Sequence, residues 1–196
     1  MDVYQYREEF SELLRDISAH LGRSQVPFGR AINEAALYVR NIQRPGVATD
    51  SNRQKMMFVG NGGSAAIAIH QSTDFMKQCA ISTYAPADVS LVTCMANDYG
   101  YENVFAEPIG RVAHAGDLLV AISSSGKSPN ILNAVKAARA HSCDVITLSG
   151  FDSDNPLRSM GDVNFYVPVR DYRYVESAHL FICNSILETV LGKISE

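Results

Sequence analysis

From Lys55 onward, short apolar runs alternate with helical stretches, and this alternation leaves few architectures open to the chain. Segments 56–60 (MMFVG), 80–84 (AISTY), 117–122 (DLLVAI), 144–149 (DVITLS) and 163–167 (VNFYV) read as strands. Three of these are almost continuously apolar, as in a parallel sheet covered on both faces. Between them, 64–78, 104–114 and 129–141 read as helices. A long terminal helix over 173–194 follows, with Leu180, Ile182, Ile186, Leu187, Val190 and Leu191 apolar. The pattern predicts an α/β fold: a three-layer sandwich around a five-stranded parallel sheet with right-handed crossovers. Segment 88–98 (DVSLVTCMAND) fits either a strand, by its β-branched residues, or a helix capped by Asp88.

The N-terminal third reads as helix. Tyr6, Phe10, Leu13, Leu14, Ile17 and Leu21 form one stripe from 3 to 21, closed by Gly22. A second helix follows Pro27, with Ile32, Ala35, Ala36, Val39 and Ile42 on one side. A polar loop, RPGVATDSNRQ (44–54), separates these helices from the α/β part.

At 196 residues, 46% apolar and 19% charged, the chain has the composition of one folded domain. It is short for separate cofactor and substrate domains. A net charge of −4 argues against nonspecific binding to nucleic acid or to an acidic membrane. No basic segment leads into an apolar one at the N-terminus, and no apolar run approaches the length of a membrane span. Cys79, Cys94, Cys143 and Cys183 are far apart, with no CxxC pair. They read as small buried residues in a reducing cytoplasm, without a disulfide framework or structural zinc.

Two loops look built for phosphate. Gly60-Asn61-Gly62-Gly63-Ser64 follows a buried strand and opens a helix, whose N-terminus offers free N–H groups and partial positive charge. It also satisfies the relaxed dinucleotide pattern GxGxxA through Gly60, Gly62 and Ala65. With the later Asp88, that pattern would suit a dinucleotide oxidoreductase, a reading that gives the second loop no role. The second loop, Ser123-Ser124-Ser125-Gly126-Lys127-Ser128-Pro129, has Ser128 at an N-cap and Pro129 at the first helical position. Gly126-Lys127-Ser128 is not a nucleotide P-loop, because Ala121 stands where that motif needs glycine. Four hydroxyls around a helix N-terminus remain, and these suit a phosphate monoester held without a metal.

GNGGS (60–64), NDYGYE (97–102) and ISSSGKSPNIL (122–132) resemble the SIS (sugar isomerase) domain. In particular the chain resembles the phosphoheptose isomerases, which convert sedoheptulose 7-phosphate to a heptose 7-phosphate. The likeness runs from about Met56 to Leu191 in matching order and spacing. It implies a single SIS domain over 1–196, with 1–44 as a helical oligomerisation segment and 55–196 as the phosphosugar-binding core. It also implies a helix over 88–98, no organic cofactor, and a homotetramer with active sites between subunits. Ser123, Ser124, Ser125 and Ser128 would hold the sugar phosphate; the family often has threonine where Ser124 stands. Asn61, Gly62, Gly63 and Ser64 would contact the sugar or its phosphate, and Asp98 would bond substrate hydroxyls.

Aldose–ketose isomerisation needs a base to carry a proton between C1 and C2. In the family, the helix after GNGGS carries a histidine and then a glutamate, and the last helix a glutamine and then a histidine; the four can bind zinc. Here the matching residues are His70 and Asp74, then Glu176 and Asn184. The amide of Asn184 moves no proton near neutral pH. Three readings stand: an isomerase re-tuned around Asp74 or Glu176; a metal, zinc or a harder ion, on His70, Asp74, Glu176 and Asn184; or a phosphosugar-binding protein without catalysis, as in relatives that bind a replication protein. His179 matches a further histidine common in the family. The stretch from Phe75 to Asp88 is shorter than in typical members. Arg170, Tyr172 and Arg173 precede the last helix, either reaching the ligand or forming a solvated basic cluster.

Overall fold

A computed structural model describes residues 2–42 and 54–194. Almost all of the 44–54 loop therefore lies outside the described residues. The five expected strands form one parallel array: β3 (Lys55–Val59), β4 (Ser82–Tyr84), β5 (Leu118–Ser123), β6 (Asp144–Gly150) and β7 (Val163–Val167). Two further strands extend it, β1 (Ser18–Leu21) and β2 (Ser24–Val26), giving the order β2-β1-β7-β6-β5-β3-β4. β1 runs antiparallel to both β7 and β2.

This corrects the expected five-stranded sheet and the helix expected over 3–21. α1 (Val3–Asp16) is capped by Asp2, whose carboxylate accepts from the Tyr4 and Gln5 amides, and it stops at Asp16. Ile17 turns the backbone to an extended conformation, and Gly22-Arg23 joins a short hairpin whose Leu21 faces Ser24. The hairpin gives β7 a partner on what would be a bare edge, and it buries Ile17 and Ala19 in the core.

The remaining helices are α2 (Phe28–Ile42), α3 (Gly63–Cys79), α4 (Val89–Tyr99), α5 (Ala106–Val112), α6 (Pro129–Ala140) and α7 (Tyr172–Val190). Segment 88–98 is helical: the Asp88 carboxylate accepts from the amides of Ser90 and Leu91. The sheet separates two apolar layers. On one face Phe58, Val120, Ile146 and Phe165 pack against α2, α3 and α7. On the other Met57, Leu119 and Val145 pack against α5 and α6. β5, at the centre of the five parallel strands, is buried along its whole length. Cys79, Cys143 and Cys183 are buried as expected, but Cys94 lies exposed on α4. No described helix is long and apolar enough to cross a membrane.

His179 braces α7 to the sheet. It is fully buried, with Nε2 3.2 Å from the Ser149 carbonyl oxygen, and Nδ1 meets no partner among the described residues. Burial pushes its pKa down to about 4. The unfolded chain takes up this proton near 6.5, so the contribution is whole above that pH and shrinks as pH falls toward 4. His179 should therefore account for a loss of about 2 kcal/mol of stability between pH 7 and pH 5. Denaturant titrations of wild type and His179→Gln at both pH values check this; an equal pH dependence in the two proteins would contradict it.

Candidate functional site

Both glycine- and serine-rich loops leave the C-terminal edge of the parallel sheet, where open α/β sheets bind ligands. β3 ends at Val59, and Gly60 to Gly62 turn the chain into α3. β5 ends at Ser123, and Ser124 to Ser128 turn it into α6. Two helix N-termini therefore open beside each other. Their loops are locked together by a reciprocal amide pair: Asn61 Nδ2 donates to Asn130 Oδ1 at 3.0 Å, and Asn130 Nδ2 to Asn61 Oδ1 at 2.8 Å. The Tyr101 hydroxyl donates to the same Asn61 oxygen at 3.2 Å.

The serine loop is folded on its own hydroxyls. Ser123 Oγ accepts from the Gly126 amide at 3.2 Å and lies 3.3 Å from Ser128 Oγ; Ser125 Oγ accepts from the Lys127 amide at 3.2 Å. Gly126 has φ +62°, and a Cβ there would overlap the Asn155 side chain. Asn155 is itself buried and fixed, donating to the carbonyls of Gly150 (3.1 Å) and Asp152 (2.8 Å) and accepting from the Arg158 amide (3.0 Å). Ser124 is only 4% exposed, and its Oγ finds no partner among the described residues. A buried hydroxyl left unpaired costs about 1–3 kcal/mol, so its place in a ligand cleft is informative. Lys127 does not supply the positive charge here: its ammonium pairs with Asp152 at 3.0 Å, and this bond holds the Asp152 carboxyl below its ordinary range.

The two loops line a cleft of about 320 Å³. Asn61, Gly62, Gly63, Ser64, Ser123, Ser124, Ser125 and Ser128 all face it. Glu176, from the first turns of α7, is the one carboxylate in its lining among the described residues. Its carboxylate occupies the space a Cβ on Gly63 would fill, so glycine at 63 is what admits the acid to the N-terminus of α3. Tyr172 also lines the cleft. Arg170 and Arg173 instead pair with Asp152 and Asp171 on the surface.

Four expected site residues are not brought into this cleft. The contacts Gly63–Glu176 and Gln71–Asn184 advance equally along α3 and α7, so the two helices run parallel. Helix rise then puts His70, Asp74 and Asn184 at least about 10 Å further along them. There His70 Nε2 pairs with Asp74 Oδ2 at 3.1 Å, and Asn184 Oδ1 accepts from buried Gln71 at 2.8 Å. Asp98 is exposed on α4, where its carboxylate accepts from Asn97 at 2.8 Å. Among the described residues, no three His, Cys, Asp or Glu side chains meet as a metal-binding group. His70, Asp74, Glu176 and Asn184 therefore do not fit a metal within one chain. Asn130, Asn155 and Tyr101 were missed in the sequence. The fold alone brings them together, and only the position of Asn130 two residues after Ser128 hinted at a loop contact.

The chain matches the SIS domain family over residues 29–150. It is 30% identical to the phosphoheptose isomerase of Aliarcobacter butzleri, over 94% of this chain and 98% of that protein. Identity to the phosphoheptose isomerase of Bradyrhizobium sp. strain BTAi1 is 35%, over 89% and 91%. The solved structure of the Neisseria gonorrhoeae phosphoheptose isomerase superposes with a TM-score of 0.80 at 27% identity, covering 96% of this chain and 97% of that one. With this fold, these loops and these relatives, the chain belongs to the SIS domain family, in its phosphoheptose isomerase branch.

Proposed function

We propose that the chain is an aldose–ketose isomerase acting on sedoheptulose 7-phosphate. The observation that carries the reading is the buried, unpaired Ser124 hydroxyl inside a cleft made of two helix N-termini. A phosphate oxygen completes that hydroxyl's hydrogen bonding. Ser123, Ser125, Ser128 and the amides opening α6 hold the remaining oxygens, and Asn61, Gly62, Gly63 and Ser64 the sugar side. Glu176 takes a proton from C1 of the ketose, the C1–H electron pair forms a C1–C2 double bond, and the C2 carbonyl π pair moves onto its oxygen, which takes a proton from water to give the enediol. The O1–H proton then leaves to water as the C1 carbonyl forms, and Glu176 returns its proton to C2, giving the aldehyde at C1. No organic cofactor and no metal-dependent step enter this route.

Asp74, His70 and Asn184 serve catalysis only where a second copy carries them to a cleft. This agrees with a homotetramer that shares its sites between subunits, with 1–44 as the assembling segment of one SIS domain. Support comes from the groove between α2 and α7, where Phe28, Ile32 and Phe181 line a surface open to a partner. Asp98 is a further candidate for contacting substrate hydroxyls. The cytoplasm is the proposed location, in keeping with four cysteines that form no disulfide among the described residues.

Purified protein incubated with sedoheptulose 7-phosphate should form an aldose 7-phosphate, read by NMR. Binding without turnover, with and without added divalent ion, would instead favour a non-catalytic phosphosugar-binding protein, the reading that the amide at Asn184 motivates.

A further inference from the structure

The rim of the cleft carries an aromatic pair that the phosphate-binding loops do not explain. Tyr172, the first residue of α7, lines the cleft and is 59% exposed. The Phe151 ring meets it edge-on, with centroids 4.8 Å apart and planes at 77°. Phe151 sits at φ +59°, a region that a bulky side chain enters only at a cost in strain. Its backbone is pinned there. The carbonyl accepts from the Tyr166 hydroxyl at 2.8 Å, and the amide donates to the Val169 carbonyl at 3.2 Å.

The same loop reaches the phosphate site twice more. Asp152 holds Lys127, and Asn155 backs Gly126. One strained segment therefore fixes both the serine loop and the Tyr172 ring. The nearby cations are already engaged, Arg170 with Asp152 and Arg173 with Asp171. What this side of the rim offers a ligand is an aromatic surface.

Resting on the functional reading above, we propose that Tyr172, braced by Phe151, is the wall against which the carbon chain of the bound sugar phosphate packs, and that it selects among sugar phosphates by that chain. The phosphate anchors every candidate ligand alike. The C–H face of the polyol beyond it then meets, or fails to meet, the ring.

Calorimetry with two probes, sedoheptulose 7-phosphate and inorganic phosphate, tests this on wild type, Tyr172→Ala and Tyr172→Phe. Tyr172→Ala should weaken the sugar phosphate about tenfold, the worth of one aromatic contact, and leave inorganic phosphate within about twofold. Tyr172→Phe keeps the ring and should stay within about threefold for both probes. Unchanged sugar-phosphate affinity in Tyr172→Ala, or equal weakening of both probes, overturns the proposal while leaving the isomerase reading intact. If wild type binds neither probe, the isomerase reading falls and this proposal falls with it.

Discussion

Glu176→Gln is expected to lower the rate of sedoheptulose 7-phosphate isomerisation by about 10²–10⁴, the usual worth of a positioned general base. Glutamine keeps the shape and the polarity of the side chain, so the cleft and its phosphate affinity should survive. Glu176 is singled out because it is the one carboxylate lining the cleft among the described residues, while Asp74 sits outside it, paired with His70. Gly63→Ala is the steric counterpart. Its added Cβ claims the place of the Glu176 carboxylate, the far end of a flexible side chain, so turnover should fall while the melting temperature holds or rises, alanine being the better helix former. Steady-state kinetics with thermal melts checks both variants. Full activity in Glu176→Gln would move the proton transfer to another residue.

The second large effect is expected from Gly126→Ala. Two costs combine here. An L side chain at φ +62° is strained, and its Cβ overlaps Asn155. Asn155 cannot swing aside cheaply, because it is buried and makes hydrogen bonds to Gly150, Asp152 and Arg158. A loss of about 3 kcal/mol in stability is expected, together with at least a tenfold loss of inorganic phosphate affinity. Gly192→Ala isolates the first cost. It shares the positive φ, at +71°, but no atom lies within 4 Å of its Cβ. It should cost about 1 kcal/mol and leave phosphate binding alone. Equal effects in the two variants would show that the Asn155 contact carries no weight.

The cleft offers a phosphate ligand few cations. With a net charge of −4, the chain has no excess of lysine or arginine to spend. Lys127, the one cation in the serine loop, is spent on Asp152. Hydroxyls and helix N-termini are left to hold the anion, and both were visible in the sequence as Gly and Ser at strand-to-helix turns.

The core of the fold was legible for a similar reason. Runs such as DLLVAI and DVITLS have no exposed face to cover, so only a parallel sheet sandwiched by helices accommodates them. β1 and β2 were not legible. SAHL and SQV are short and half polar, and Leu21 falls on the helical stripe of α1. Only pairing with β7 decides the matter, and that contact lies more than a hundred residues away in sequence. The site divides the same way. The two loops could be located in the sequence as strand-to-helix turns rich in glycine and serine. His70, Asp74, Glu176 and Asn184 have the right spacing on their own helices, but the register between α3 and α7 is a property of packing. That register sets Glu176 beside Gly63, away from His70 and Asp74, while Asn184 lies about two turns further along α7. Tyr172 is a parallel case: its chemistry was plain in the sequence, and its place on the cleft depended on where α7 begins.

With the phosphate on the serine loop, Glu176 stands at the reacting carbons. A crystal of the protein soaked with sedoheptulose 7-phosphate should show phosphate oxygens bonded to Ser124 Oγ and the α6 N-terminus, with the Glu176 carboxylate within about 3 Å of C1 or C2. A sugar phosphate bound with its phosphate elsewhere, or with a different carboxylate at C1 and C2, would contradict this placement.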